Sequence, residues 1–543
     1  MIQKNDKLVC EVLSNGAGGE GICKIDGFAV FVPDAVKGDV AEIQILKVKS
    51  GYAYGKITKI ITPSPGRVTP LCSKSSTCGG CDIACMNYAY QLEMKHSTVV
   101  DSLERIGGIK DAVVMPTVGM DNPYHYRNKM QFPVGKDKTG NTVYGFYAKR
   151  SHNIIPANEC VTGKKFCRTI METVLNFMNS HGIQPYCEET HSGTVRHVFI
   201  RDSASTGEIM VVIVINADSL PHSDKLITAL CSAESNISGV LLNINKKKTN
   251  LILGDKNILI YGKETISDKI GNLEFSISPH SFYQINPTQT EKLYSLALEA
   301  AGDISDKTVF DLYCGTGTIS LFMAQKAKKV YGIEIVEDAV KNARENALRN
   351  GTRNAEFLCG AVEDVIEDLY DKGIRADVVV LDPPRKGSDE KTLEIILKMN
   401  PSKIVYVSCG PATLARDLKF LENGGYKTET VTPVDMFPHT AHVETVALLT
   451  KLKESESITV ELDLDELEVS APKINATYTQ IKEYVLNKHG FKVSSLNIAQ
   501  IKQECGIVER ENYNKPSDDY KQPNCPKVKA DAIKDAFEHF RMI

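Results

Sequence analysis

The sequence predicts an α/β protein whose later half is a doubly wound parallel sheet, preceded by a small β-barrel and a mixed α+β region. Short apolar, β-prone runs at 308–313, 329–333, 357–359, 376–381 and 404–407 alternate with helical stretches, the pattern of adjacent parallel strands with helices crossing between them. Short strand-like runs broken by glycines fill residues 1–65, as in a small closed barrel. The last parallel run ends at Ser408-Cys409-Gly410-Pro411. Pro411 suits the first position of a helix, so Cys409 stands between a strand's carboxyl end and a helix's amino end, where open α/β sheets bind ligands. Free N–H groups at a helix start favour a thiolate, which makes Cys409 a candidate nucleophile; the plain alternative is a buried structural cysteine.

Length and composition bound the answer. The 543 residues provide for about three or four domains, and 42% hydrophobic with 24% charged residues is an ordinary globular balance. A net charge of −4 excludes a uniformly basic chain, so any nucleic-acid surface must be a local patch. No apolar run approaches the ~20 residues of a membrane span, and the start Met1-Ile2-Gln3-Lys4 has no signal-peptide core. A cytoplasmic protein without membrane contact is expected. The 15 cysteines are odd in number and unevenly spaced, which argues against a secreted disulfide framework and for metal or cluster binding.

In chain order, residues 1–65 are the expected barrel, with strands at 7–13, 21–24, 28–32, 39–48 and 54–60. Lys24, Lys37, Lys47, Lys49, Lys56 and Lys59 either face a polyanion or form a solvated face. The central domain is expected over 66–270. It opens on Cys72-x5-Cys78-Gly79-Gly80-Cys81, close thiols around glycines that let the backbone turn, a signal for an iron–sulfur cluster or zinc. A fourth ligand is available at Cys85, close by, or at Cys160. Asn122 to Phe132 interleaves aromatic residues with Arg127 and Lys129, a mixture that stacks bases and holds phosphates.

From 271 to 450 the sequence carries its chemistry at strand ends. Asp311-Leu-Tyr-Cys-Gly315-Thr-Gly317 is a glycine turn after the first strand, Glu334 ends the second, and Asp382-Pro383-Pro384-Arg385 follows the strand that ends at Leu381. Glycines admit close backbone approach, and a strand-end carboxylate accepts from a ribose diol. The turn is one glycine short of the dinucleotide fingerprint, which favours S-adenosylmethionine over NAD. The two prolines stiffen the turn that carries Asp382. Residues 451–543 are expected to be an acidic linker, where Glu461, Asp463 and Asp465 alternate with apolar residues, followed by a small helical module.

With Asp382-Pro-Pro-Arg, Ser408-Cys-Gly-Pro and His442-Val-Glu-Thr-Val in order, the chain resembles the RNA uracil-5-methyltransferases of the TrmA/RumA family over residues 1 to about 450. Glu20-Gly21 through Val32-Pro33-Asp34-Ala35 resembles a TRAM domain, an RNA-binding barrel of oligonucleotide-binding type. Barrel and cysteine cluster together resemble the ribosomal-RNA branch. The resemblance implies a class I, Rossmann-like S-adenosylmethionine methyltransferase domain and a [4Fe–4S] cluster on Cys72, Cys78, Cys81 and Cys160. It implies cofactor contacts from Gln284, Tyr313, Glu334 and Asp382, to which the turn adds Gly315 and Gly317, with Cys409 as nucleophile and Glu444 as base. Phe282 is a candidate stacking platform, and Arg385 a candidate contact for phosphate or enolate. The implied partner is RNA, 23S ribosomal RNA first, with no obligate protein partner. The alternatives are methylation of an exocyclic amine, a transfer-RNA substrate, and a non-catalytic RNA-binding factor.

Overall fold

The computed structural model describes residues 2–149, 151–452, 476–505, 507, 525–540 and 542. They fall into two compact units, Met1–Lys453 and Glu454–Ile543.

The first unit opens with a six-stranded barrel in the order Lys7–Glu11, Val40–Val48, Tyr52–Thr62, Phe28–Val32, Gly21–Ile25, Ser14–Asn15. Alternation decides its inside: Ala41, Ile43 and Ile45 point inward with Cys23, Val30 and Val32, all at 0% exposure. A seven-stranded sheet follows, from Ile154–Pro156 at one edge to Lys256–Gly262 at the other. Helices Phe166–Ser180 and Ser223–Ala233 bury their apolar residues with it.

The third large sheet holds the strand-end motifs. Its order is Ala355–Cys359, Lys329–Glu334, Thr308–Leu312, Val378–Leu381, Lys403–Ser408, Glu444–Lys451, Tyr426–Val434, Val113–Val114. The first five strands run parallel, as alternating strands and helices require. Beyond the five expected strands the sheet continues with one reversal. Glu444–Lys451 runs antiparallel to Lys403–Ser408 and forms a hairpin with Tyr426–Val434. That reversal brings Glu444 back beside the cysteine turn.

Pieces from outside 271–450 also join this sheet. Val113–Val114 is its edge strand, and Val99 and Leu103, in and just after helix Tyr88–Ser102, lie in the core beneath it. Strands Ile266–Ile270 and Leu273–Ile277 are paired and bury Ile266, Ile270, Phe275 and Ile277 in the core on the sheet's other face. Residue 270 therefore lies inside a hairpin.

The second unit contains helices Tyr478–His489, Ser495–Glu504 and Lys527–His539. Capping boxes Thr477/Gln480 and Ser494/Asn497 start the first two, and Ile481, Val485, Ile498, Ile533 and Phe537 form the core. The acidic stretch around Glu461 to Asp465 lies outside the described residues. Among the described residues, no helix is long and apolar enough to cross a membrane.

Candidate active site

The glycine turn is built on backbone conformations that few side chains adopt. Tyr313, Gly315 and Gly317 have φ of 66°, 55° and 80°, in the left-handed region. A Cβ on Gly317 would stand 2.8 Å from the Phe357 ring, whereas one on Gly315 would meet nothing within 4 Å. Gly317 is therefore a packing glycine, and Gly315 leaves open space over the turn. Glu334 closes the turn: its Oε2 accepts the Gly315 N–H at 3.1 Å and its Oε1 the Val336 N–H at 2.9 Å. Each oxygen keeps a lone pair for a diol. Below the turn, Asp311 is fully buried. The Ser320 hydroxyl donates to its Oδ2, while Oδ1 has no partner among the described residues. Burial holds the Asp311 carboxyl at about 7. An orphaned acceptor under open glycine backbone fits a ligand that brings hydrogen-bond donors.

The loop carrying Phe282 and Gln284 lies against this turn. The Thr316 hydroxyl donates to the Phe282 carbonyl at 3.5 Å. Buried Arg201 donates to the carbonyls of Ser278 and Ser281 at 2.9 and 3.0 Å, and the Asn128 side chain donates to that of Gln284 at 3.0 Å. Phe282 is 65% exposed. That excludes a core aromatic and leaves a ring for a partner to cover.

Cys409 follows strand Lys403–Ser408 and precedes helix Pro411–Asn423, whose cap is Gly410. Ser408 pairs with Thr445 across the strands, and the Thr445 hydroxyl donates to the Ser408 carbonyl at 3.0 Å. Continuing that register sets Cys409 opposite Glu444, at the buried start of strand Glu444–Lys451. Asp382 and Arg385 act on the same point. Burial pushes the Glu444 carboxyl up to about 8, with Asp382 adding to the rise and Arg385 opposing it. Burial also holds Asp382 at about 7.

The expected thiolate at Cys409 is a correction. Burial first, then the charges of Glu444 and Asp382, push the thiol up to about 11, against the pull of Arg385. Desolvation and two carboxylates outweigh a helix start.

Residues 87–452 match the tRNA (uracil-5-)-methyltransferase family, and residues 11–58 match the TRAM domain. The chain belongs to the tRNA (uracil-5-)-methyltransferase family. An RNA methyltransferase of Clostridium tetani is 48% identical over 449 residues, 83% of this chain and 97% of the relative. One of Halalkalibacterium halodurans is 47% identical over 448 residues, 82% of this chain and 98% of the relative. Among solved structures, the Pyrococcus abyssi tRNA (uracil-54, C5)-methyltransferase, in complex with S-adenosyl-L-homocysteine, is similar with a TM-score of 0.66 and 27% identity. That likeness covers 82% of this chain and 100% of the Pyrococcus chain. The protein is thus an S-adenosylmethionine-dependent RNA methyltransferase of the uracil-5 family, with a TRAM domain at its N-terminal end.

Two further features of this uracil-5 methyltransferase bear on RNA and metal. On the barrel, Phe31, Tyr52 and Tyr54 form a mutually packed set, with centroids 5.5 to 6.1 Å apart. Phe31 pairs with Tyr54 across the strands and Lys47 pairs with Tyr54 on the other side, which makes a strip of rings beside a lysine. In the central region, backbone bridges pin the cysteine segment. Cys78 bridges to Ala148, and Gly163 to Arg127, which draws in the loop of Cys160. Burial and then Cys160 and Cys78 push Cys81 up to about 12, and Cys160 and Cys72 add to the rise at Cys78. These four thiols share one field. Cys85 lies elsewhere, with its Sγ 3.5 Å from the Asp34 carbonyl in a core with Val36 and Met94. Among the described residues, no group of three Cys, His, Asp or Glu could hold a metal ion.

Sequence reasoning passed over Ile335 and Val336, 68% and 53% exposed directly after Glu334. Two exposed apolar residues directly after a strand-end acid were a readable signal for a surface that a ligand could cover. It also passed over Asp435, whose partner lies far away in the sequence.

Proposed function

We propose that this methyltransferase methylates carbon 5 of a uridine in RNA through a covalent bond between Cys409 and carbon 6. The register that places Cys409 opposite Glu444, with Asp382 and Arg385 in the same field, carries this reading. Carbon 5 of uracil is a weak nucleophile. Asp382 takes the Cys409 proton as the sulfur adds at carbon 6, which makes an enolate whose carbon 5 attacks an electrophilic methyl group, and the donor sulfonium leaves as a neutral thioether. Glu444 then removes the carbon-5 proton, the carbon 5–carbon 6 double bond re-forms and the sulfur leaves as thiolate. Glu444 and Asp382 titrate near neutrality, as proton-transfer groups should. The cofactor supplies the methyl group and a positive charge. Open space at Gly315, the carboxylate of Glu334 and the orphaned Asp311 oxygen fit it, with Gln284, Tyr313, Gly317 and Asp382 as further contacts. Ile335 suits the adenine face, and Phe282 suits the flipped uracil.

Ribosomal RNA, 23S in particular, is the first substrate in this reading. The aromatic strip and lysines of the barrel support a single-stranded RNA partner. Transfer RNA is the second reading, favoured by the name of the Pyrococcus enzyme. Cys72, Cys78, Cys81 and Cys160 are the thiols proposed here to hold a [4Fe–4S] cluster, with zinc as the alternative, and the field they share supports one common centre. The cluster's part here is to tie loops together, and no catalytic step passes through it. Incubation with labelled S-adenosylmethionine and, separately, ribosomal and transfer RNA, followed by nuclease digestion, tests the whole. Label in 5-methyluridine from ribosomal RNA is expected. Label confined to transfer RNA moves the substrate, and label in a methylated amine overturns the chemistry.

A further inference from the structure

The hairpin loop that delivers Glu444 is held from several sides. Val434 and Glu444 are paired, so residues 435–443 form the loop between them. Loops of this kind run over surfaces; here Asp435 and Met436 are at 0% exposure, and His439 and Thr440 at 4%. Asp435 is in an ion pair with Lys95 of helix Tyr88–Ser102, and both side chains are at 0% exposure. The Tyr88 hydroxyl donates to Asp435 Oδ2 at 2.8 Å and accepts the Met120 N–H at 2.8 Å. Lys95 also donates to the Phe437 carbonyl at 3.1 Å.

Each residue from 435 to 439 has a group held by a buried or half-buried side chain. Gln289 donates to the Asp435 carbonyl at 3.1 Å, Asn286 to that of Met436 at 3.0 Å, and the Tyr126 hydroxyl to that of Pro438 at 3.1 Å. The His439 N–H donates to Gln91 Oε1 at 2.9 Å, and its ring stacks on Tyr124 with centroids 4.8 Å apart. The His439 carbonyl accepts the N–H groups of Asp82 and Ile83 at 3.0 and 3.2 Å, which fastens the segment just after Cys81 to the same loop. A buried ion pair contributes little net stability over an apolar pair of similar size. What it adds is a fixed geometry.

We propose that Asp435, gripped by Lys95 and Tyr88, is a positioning residue: it fixes loop 435–443 so that Glu444 meets the carbon-5 proton of the Cys409 adduct. This rests on the reading of Glu444 as the base. The consequence is confined to one step. Attack by Cys409 and methyl transfer do not use Glu444; release of the adduct does. A misplacement of order 1 Å can cost ~10²-fold in such a step.

The test uses the full-length protein, S-adenosylmethionine and ordinary uridine RNA, with the RNA–protein adduct followed on a denaturing gel. Glu444→Gln is expected to trap the methylated adduct. Asp435→Asn, and the charge-free Lys95→Met/Asp435→Asn pair that leaves no lone buried charge, are expected to release it at least ~10-fold more slowly than wild type. Their first-turnover methyl transfer and cofactor affinity are expected to be unchanged. Tyr88→Phe, which removes a single hydrogen bond, is expected to show a smaller delay. Trapping by Glu444→Gln with wild-type release in the Asp435, Lys95 and Tyr88 variants overturns the proposal, as does equal slowing of every step. Normal release by Glu444→Gln overturns the base assignment, and the proposal with it.

Discussion

Cys409 and Cys81 are both pushed toward the neutral thiol, but their neighbours differ. Behind burial, Cys409 is raised by the carboxylates Glu444 and Asp382. Cys81 is raised by its fellow cysteines Cys160 and Cys78. In the proposed reading Asp382, held near neutrality, takes the Cys409 proton, so the load on this thiol is relieved and restored within one turnover. Crowded cysteines cannot relieve one another; a bound metal cation can. In the proposed reading, the same residue type thus serves a transient covalent bond in one region and permanent ligation in the other.

The sharpest way to break this contrast is to remove each thiol. Cys409→Ala is expected to lower methyl transfer by more than ~10⁴-fold, with cofactor affinity retained by equilibrium binding. Cys81→Ser and Cys160→Ser are expected to lose iron and sulfide while folding, and Cys85→Ser to keep both. Iron loss from Cys85→Ser but not from Cys160→Ser would reassign the fourth ligand.

Cofactor contacts come next in size. Glu334→Gln removes a charged acceptor, worth about 1.5–3 kcal/mol, so a rise in cofactor Kd of roughly 10- to 100-fold is expected with RNA affinity unchanged. Phe282→Ala is expected to weaken RNA by the ~1–3 kcal/mol of one stacked base, read by titration of labelled RNA.

Titration gives a smaller, signed effect. Glu444 must be ionised to act as base, so kcat is expected to rise with pH up to about 8. Asp382→Asn removes a neighbouring negative charge and is expected to move that rise to lower pH. Stability runs the other way. The folded-state value of Glu444 lies above its ordinary 4.5. The stability linked to it is therefore full below about 4.5 and lost as pH climbs through about 8. Glu444→Gln is expected to be more heat-stable than wild type at pH 9, measured by thermal unfolding.

Much of the catalytic sheet was legible because its strands are short apolar runs with chemistry at their ends. Asp311 to Gly317, Glu334, Asp382 and Cys409 all sit at such ends in the structure. The hairpin of Tyr426–Val434 and Glu444–Lys451 was not legible as antiparallel, because direction depends on where a chain returns and not on local pattern. Nor was the Lys95–Asp435 pair, whose partners meet only after folding. The charge state of Cys409 was misjudged for a similar reason. The helix start is local, while Glu444 and Asp382 arrive from other strands.

The measurement that tests the central claim most directly uses 5-fluorouridine-substituted ribosomal RNA with labelled S-adenosylmethionine. Fluorine at carbon 5 cannot leave as a proton, so the reaction should stop at the covalent adduct. A labelled RNA–protein band, absent in Cys409→Ala and mapped by mass spectrometry to Cys409, is predicted. Methyl transfer to this RNA without a covalent band, in a protein that binds RNA normally, would contradict the account.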